Sequence, residues 1–325
     1  MKKVLLIFGG NSEEHYISCK SAKSILENID ISKFIITSVG ISKNNKWFIF
    51  DDKLEYLENG TWLKYCYDKE IKNVLDFIKD FDVVFPIIHG TNGEDGKLQG
   101  MLDLFKIKYV GCGTLASAIG MDKDIAKRVF NSVGIPQVPS ITVDENYDCN
   151  SILKKLNFPL IIKPANGGSS IGINIANDIN ELNKNIQTAL NFDQKVIVET
   201  FVKGRELECA IIEDKNKLYA SSIGEILPCN EFYDYEAKYK LKSKTIIPAI
   251  LETNIEKKIK ELALKGFKAI NAKGLARVDF FLVDNNIYLN EINTLPGFTT
   301  ISMYPQLLMY DKYRYKDIIS ILIEN

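Results

Sequence analysis

Near the carboxyl end, the stretch ARVDFFLVDNNIYLNEINTLPGF carries Arg277, Asp279, Glu291 and Asn293 on two apolar runs separated by Asp284-Asn285-Asn286. Apolar, β-rich runs around a short polar loop predict a hairpin, and a three-residue loop is a common connection. With Val283 opposite Ile287, Asp279 falls opposite Glu291 and Arg277 opposite Asn293. All four side chains then share one face, because side chains alternate along a strand. Two carboxylates ~4 Å apart repel by about 4 kcal/mol at an effective dielectric near 20. A hard divalent cation removes that repulsion, since Mg²⁺ takes oxygen from one or two carboxylates and completes its shell with phosphate oxygens and water. Two plainer arrangements do so as well: the acids turn to solvent, or Arg277 neutralises them. A two-residue loop would put the pairing out of phase.

A second chemistry-bearing segment, LIIKPANGGSSIGINI, ends an apolar strand in Lys163 and continues into Gly167-Gly168-Ser169-Ser170. Its order of strand, loop, strand differs from the phosphate loop that opens a helix. Exposed N–H groups, two serine hydroxyls and a neighbouring ammonium can still cradle phosphates, although a Gly-Ser turn needs no ligand to explain it. The segment VIVETFVKGRELE then offers Glu199 at a strand end, Phe201 and Val202, and Glu206 further on. A strand edge with a carboxylate suits an adenine and ribose hydroxyls; a purely structural segment is the plain alternative.

These pieces need a frame. A chain of 325 residues divides into two or three domains of roughly 100–200 residues. Hydrophobic residues at 46% and charged residues at 26% place it with ordinary soluble proteins. Lys+Arg 41 against Asp+Glu 42 gives no electrostatic reason to expect nucleic acid or a membrane surface as partner. The opening MKKVLLIFGGNSEE reads as a first core strand, and no apolar run approaches the ~20 residues that span a bilayer. Six scattered cysteines without a C-x-x-C pair suit reduced packing thiols in a cytoplasmic protein.

The first third alternates strand and helix: KVLLIF, EEHYISCKSAKSILENI, FIITSVGI, VVFPII, KLQGMLDLF. That order predicts a mainly parallel sheet with binding loops at the carboxyl ends of its strands. Two such loops, FGGNSEEH and IHGTNGEDGKLQG, are polar and glycine-rich. Beyond Ala116 come a helix at KDIAKRVFNSVG, a strand pair around FPLIIKPANGGSSIGINIA, a helix at INELNKNIQTALNF, the strand KVIVETF, further strands, a polar stretch from Asn230 to Lys244, and a helix at NIEKKIKELALKGFKAI.

In their order, GGNSEEHYIS, IHGTNGEDGKLQG, KPANGGSSIG, ARVDFF and NEINTLPGFTTISMYP resemble the ATP-grasp enzymes, most closely the D-alanine–D-alanine ligases, over nearly the whole chain. The resemblance implies an α/β and α+β chain: a pre-ATP-grasp domain (1–113) with a parallel sheet, then central (114–201) and C-terminal (202–325) ATP-grasp subdomains. It implies ATP-dependent joining of two D-alanines for peptidoglycan, with Mg²⁺ or Mn²⁺ as two ions, in a homodimer. By position, Lys123 and Lys163 match the lysines that hold ATP phosphates, with Ser170 in the glycine loop. Glu199, Phe201, Val202 and Glu206 match the adenine and ribose segment, and Asp279, Glu291 and Asn293 the metal ligands. Arg277 and the Gly297 N–H match the donors that stabilise a tetrahedral intermediate.

The same resemblance implies that Glu14 holds the first D-alanine's ammonium in a triad with Ser169 and Tyr239. Ser302 and Met303 match the positions that receive the second substrate, with His89 lining that pocket. Local physics alone favours a capping box of Asn11 with Glu14, and a histidine after a core strand often satisfies a backbone group. CNEFYDYEAKYKLKSKT is expected to fold over the site as a lid carrying Lys238 and Tyr239, a solvated loop being the plain alternative. Three other functions compete with this one. An NAD-dependent oxidoreductase lacks support, since FGGNSEEH has no G-x-G-x-x-G spacing. A non-catalytic ATP-binding regulator would be expected to have lost Arg277 or a metal ligand. A ligase using D-serine as second substrate is the nearest alternative.

Overall fold

A computed structural model describes residues 1–51, 53–168, 172–227 and 244–325. The expected roles of Ser169, Ser170, Lys238 and Tyr239, and the expected lid before Lys244, lie outside the described residues.

The amino-terminal third runs β1 (Lys2–Gly9), α1 (His15–Asn28), β2 (Phe34–Ile41), β3 (Trp47–Phe50), α2 (Glu55–Glu58), α3 (Leu63–Cys66), α4 (Val74–Ile78), β4 (Val83–Pro86) and α5 (Lys97–Leu104). Its sheet has the order β3-β2-β1-β4, parallel except at the edge strand β3. The reason β1 reads as an unbroken apolar run is that both faces are covered. Val4, Leu6 and Phe8 enter one core while Leu5 and Ile7 enter another. Because β1 and β4 are parallel neighbours, the loops that follow them emerge side by side, and the Ser12 hydroxyl donates to His89 O at 2.6 Å.

The middle of the chain follows with α6 (Thr114–Met121), α7 (Lys123–Ser132), β5 (Ser140–Val143), α8 (Cys149–Leu153), β6 (Leu160–Pro164), β7 (Asn174–Ala176), α9 (Ile179–Leu190) and β8 (Val196–Thr200). Its strands form an antiparallel sheet of order β5-β8-β6-β7. Asp178 caps α9 by accepting from Asn180 N and Glu181 N. Leu182, Ile186 and Ala189, at helical spacing, bury α9 against the sheet.

The last third comprises β9 (Arg205–Asp214), β10 (Lys217–Leu227), β11 (Lys244–Ile246), α10 (Thr253–Ala269), β12 (Leu275–Val283), β13 (Asn286–Asn293), α11 (Met303–Tyr310) and α12 (Tyr315–Glu324). Its antiparallel sheet has the order β11-β10-β9-β12-β13. Ile255, Ile259, Ala263 and Phe267 seat α10 on it. Leu307 of α11 and Ile318 and Leu322 of α12 instead share a core with Val4, Leu6 and Phe8. Phe298 sits in that core, its ring 6.0 Å from Phe85, 5.7 Å from Tyr304 and 5.6 Å from Tyr315. The end of the chain thereby closes on its beginning.

The described cysteines are free thiols, and burial pushes Cys19, Cys112 and Cys209 up to about 12, which makes them packing residues rather than nucleophiles. Among the described residues no helix is long and apolar enough to cross a membrane.

Candidate active site

A cleft of about 720 Å³ is lined by the central and carboxyl-terminal sheets and, from the amino-terminal third, by α1 and the loops that follow β1 and β4. Every described candidate borders it: Glu14 and His89 from the loops after β1 and β4; Lys123 from α7; Lys163 and Glu199 from the central sheet, with Phe201 and Val202 just after β8; Glu206 from β9; Arg277, Asp279, Glu291 and Asn293 from the hairpin; Gly297 and Ser302 from the loop entering α11, and Met303 at the start of that helix.

The hairpin corrects one expectation while keeping its consequence. The loop has two residues, not three: Val283 pairs with Asn286 and Leu282 with Ile287. Asp284 and Asn285 take positive φ values of 46° and 68°, as a two-residue turn matched to strand twist requires. Such a turn would shift every later pair. The ladder instead steps from Phe280↔Leu289 to Asp279↔Glu291, leaving Asn290 as the extra residue of a bulge. Leu289 and Ile292, three apart rather than two, are then both buried. The bulge restores Asp279 opposite Glu291 and Arg277 opposite Asn293.

The neighbouring strand adds a residue that sequence reasoning passed over. Glu208 of β9 stands opposite Asp279, so Glu208, Asp279 and Glu291 lie in register across three strands. Its signal was its place two residues after Glu206, on the same face of one strand. Arg277 answers these acids. Its Nε and Nη2 donate to the two Asp279 oxygens at 2.7 Å each, and Nε lies 3.0 Å from Glu208 Oε2. Burial alone would lower the guanidinium pKa, but Asp279 and Glu208 outweigh it and raise it well above the usual value. The plainer alternative, neutralisation by Arg277, therefore holds for Asp279. Asn293 Nδ2 donates to Asp279 Oδ2 at 2.9 Å, which leaves the carboxamide oxygen of Asn293 as the atom that residue would offer a cation. Among the described residues no group of three or more His, Cys, Asp and Glu is arranged to hold a metal ion by itself. An all-oxygen set of two carboxylates and a carboxamide, completed by phosphate and water, is nevertheless what Mg²⁺ accepts.

On the central sheet the charge ratio is reversed. Glu199 on β8 and Lys163 on β6 share a face, since Ile161 pairs with Glu199, and Lys163 Nζ lies 3.1 Å from Glu199 Oε2. Lys127 Nζ approaches the same oxygen to 3.3 Å. Burial raises the Glu199 pKa, yet Lys163 and Lys127 outweigh that and hold it below the usual carboxylate value. The Glu199 carboxylate thus meets both lysines through Oε2. Lys127 also went unread, although it follows Lys123 by one helical turn. Lys123 Nζ donates to Gly167 O at 2.7 Å and lies 4.0 Å from Glu291 Oε2, joining the glycine loop to the hairpin.

Glu14 is not part of a capping box with Asn11. It occupies the N-cap position of α1 without a side-chain cap bond, while Asn11 accepts from Asn92 Nδ2. Its carboxylate lies where a Cβ on Gly90 would come within 2.8 Å of Oε2 and one on Gly168 within 3.3 Å, so both glycines make room for it. His89 meets its plain reading as well as lining the cleft. Its Nδ1 lies 3.1 Å from Leu295 O and therefore carries the proton, and Nε2 accepts from Ser21 Oγ at 3.1 Å. Ser21 Oγ also accepts from Phe298 N at 3.3 Å, so His89 and Ser21 clamp the loop containing Gly297. Ser302 Oγ accepts from Thr299 N at 3.0 Å, and buried Met303 packs on Gly224, where a Cβ would lie 2.6 Å from Sδ.

Comparison with known proteins gives the family of the chain. Residues 3–112 match the family model described as D-ala D-ala ligase N-terminus, and residues 129–324 the model described as D-ala D-ala ligase C-terminus. The D-alanine–D-alanine ligase of Acetivibrio thermocellus is 42% identical over 358 aligned positions, covering 99% of this chain and 95% of the relative. Among solved structures, the VanG D-Ala:D-Ser ligase of Enterococcus faecalis superposes with a TM-score of 0.90 at 36% identity, covering 99% of this chain and 98% of the neighbour. The D-alanine–D-alanine ligase of Bacillus anthracis complexed with ATP has a TM-score of 0.79 at 28% identity, covering 100% and 97%.

Proposed function

The chain belongs to the D-alanine–D-alanine ligase family, enzymes that form a C–N bond, and from that premise we propose that it joins two D-alanines through an acylphosphate, at the expense of ATP and with Mg²⁺, to supply the dipeptide of peptidoglycan. The observation that carries this reading is the convergence of every described candidate, from segments far apart in sequence, on one cleft.

Glu14, with Ser169 and Tyr239, holds the ammonium of the first D-alanine so that its carboxylate oxygen attacks the γ-phosphorus and ADP departs. Lys123, Lys163 and Ser170 orient the phosphates, the segment from Glu199 through Phe201 and Val202 to Glu206 takes adenine and ribose, and Lys238 reaches the phosphates from the lid. Two divalent cations on Asp279, Glu291 and Asn293 would supply charge neutralisation between the phosphates. The second D-alanine, held at Ser302 and Met303, attacks the acyl carbon through its amine, and inorganic phosphate leaves. Arg277 and the Gly297 N–H stabilise the oxyanion formed in that step, while closure excludes the water that would hydrolyse the acylphosphate. The units 1–113, 114–201 and 202–325 divide this work, in a cytoplasmic homodimer.

The greater identity to a relative named for D-alanine favours D-alanine over D-serine as second substrate. A screen of D-amino and D-hydroxy acids with ADP and dipeptide readout tests this. ADP release should require both D-alanine and Mg²⁺ and match dipeptide formed. Equal turnover without D-alanine, or preference for D-serine or D-lactate, overturns the reading. Glu291→Gln should keep the far-UV circular dichroism and lose turnover roughly 100-fold or more; near-normal activity removes the metal assignment.

A further inference from the structure

Lys127, Glu199 and Lys163 form a buried cluster whose side chains are 11%, 3% and 9% exposed. Both ammoniums approach the same oxygen, Glu199 Oε2. Lys163 and Glu199 border the cleft, whereas Lys127 stands behind Glu199, outside the cleft wall. Tertiary contacts determine that placement. Lys123 N donates to Ala165 O at 3.0 Å and Asp122 caps α7, docking its first turn on the central sheet. Thr142 Oγ1 holds Asp124 at 2.7 Å, and Gln137 Nε2 holds Lys127 O at 2.9 Å.

A lone Lys163–Glu199 pair would be neutral and would offer an arriving anion little net attraction. Adding Lys127 makes the cluster +1 in a place where uncompensated charge is costly. An anion on the open side, where Lys163 borders the cleft, relieves that excess. We infer that Lys127 is a positioning residue for the nucleotide: by satisfying Glu199 from behind, it leaves the charge of Lys163 available to phosphate. The inference rests on the reading of Lys163 as a phosphate contact, and goes beyond it in assigning an electrostatic role to a residue that does not touch the ligand.

Titration calorimetry of the full-length protein with ATP, ADP and adenosine tests it. Lys127→Met should weaken ATP roughly tenfold, ADP less, and adenosine not at all, because the lost interaction scales with ligand charge. Lys127→Arg, which keeps the charge, should bind ATP like the wild type. Lys127→Met/Glu199→Gln, which returns the cluster to +1 on Lys163 alone, should recover most of the lost affinity. A merely structural role predicts equal weakening of all three ligands, and that result, or unchanged ATP affinity in Lys127→Met, overturns the inference. If Lys127→Met does not fold, Lys127→Gln carries the same test: ATP weakens more than ADP while adenosine is unaffected, and unchanged ATP binding or equal weakening of all three ligands counts against the inference. Lys163→Met separates the two levels. If it binds ATP like the wild type, the phosphate reading of Lys163 fails; if it loses ATP while Lys127→Met does not, only the role of Lys127 fails.

Discussion

On the hairpin side of the cleft one guanidinium stands among carboxylates, while on the central sheet one carboxylate stands between two ammoniums. Arg277 serves Asp279 and Glu208, with Glu291 across the ladder. Glu199 serves Lys163 and Lys127. The central residue of each cluster is held in its charged form by its partners despite burial, the Arg277 pKa raised and the Glu199 pKa lowered, whereas burial and the neighbouring Lys163 lower that of Lys127. Each cluster is also left with one sign in excess, negative on the hairpin and positive on the sheet. A cleft with one anionic and one cationic wall suits a ligand bearing both a polyanion and its cations, and Lys123, between Gly167 and Glu291, spans the two.

Removing the guanidinium should break the hairpin side most severely. Arg277→Met strands Asp279 and Glu208 without their counter-charge, which should cost about 3–5 kcal/mol in urea unfolding and ~10²–10³ in turnover. A variant of wild-type stability would mean that the two acids are solvated rather than paired.

A smaller effect is expected where the hairpin side is anchored to the amino-terminal sheet. Ser21→Ala leaves His89 Nε2 and Phe298 N without their shared hydroxyl and should lower stability by about 1–3 kcal/mol. Faster amide exchange should be confined to the segment from Leu295 to Thr299. Uniform acceleration across the chain would show that the clamp is not local.

The smallest change concerns the central sheet. The folded Glu199 carboxyl titrates below its ordinary value of 4.5, so between the two values the unfolded chain binds more protons and stability rises with pH. The contribution is complete above about pH 4.5 and is lost as pH falls through the lower, folded value. Glu199→Gln should therefore show a flatter dependence of the urea midpoint on pH in acid. An equally steep dependence would assign the acid sensitivity to other carboxylates.

Much of this was legible because periodicity and local chemistry are short-range. The unbroken run of β1, the helical spacing in α9 and α10, and the alternation in β12 and β13 each follow from burying one or two faces of a single element. The pairing of Asp279 with Glu291 was legible through a loop of the wrong length, since the bulge at Asn290 compensated for the two-residue turn. Both choices come from side-chain burial: Leu289 and Ile292 must reach the core, and the ladder yields one residue to let them. The short edge strand β3 and helix α6 passed unread, too brief or too uniform to show a period.

Sequence alone determined which elements form, which residues carry charge, and which motifs stand in the order of the ligase family. Tertiary structure decided which charges meet. Lys127 became a partner of Glu199 because α7 docks through Lys123 N on Ala165 O. Glu208 joined Asp279 because β9 pairs beside β12, and His89 was claimed by Leu295 and Ser21 because the chain's end packs on its beginning. Local propensity acts over a few residues, whereas Coulomb and hydrogen-bond partners are chosen by proximity in space, and proximity exists only once the sheets have closed around the cleft.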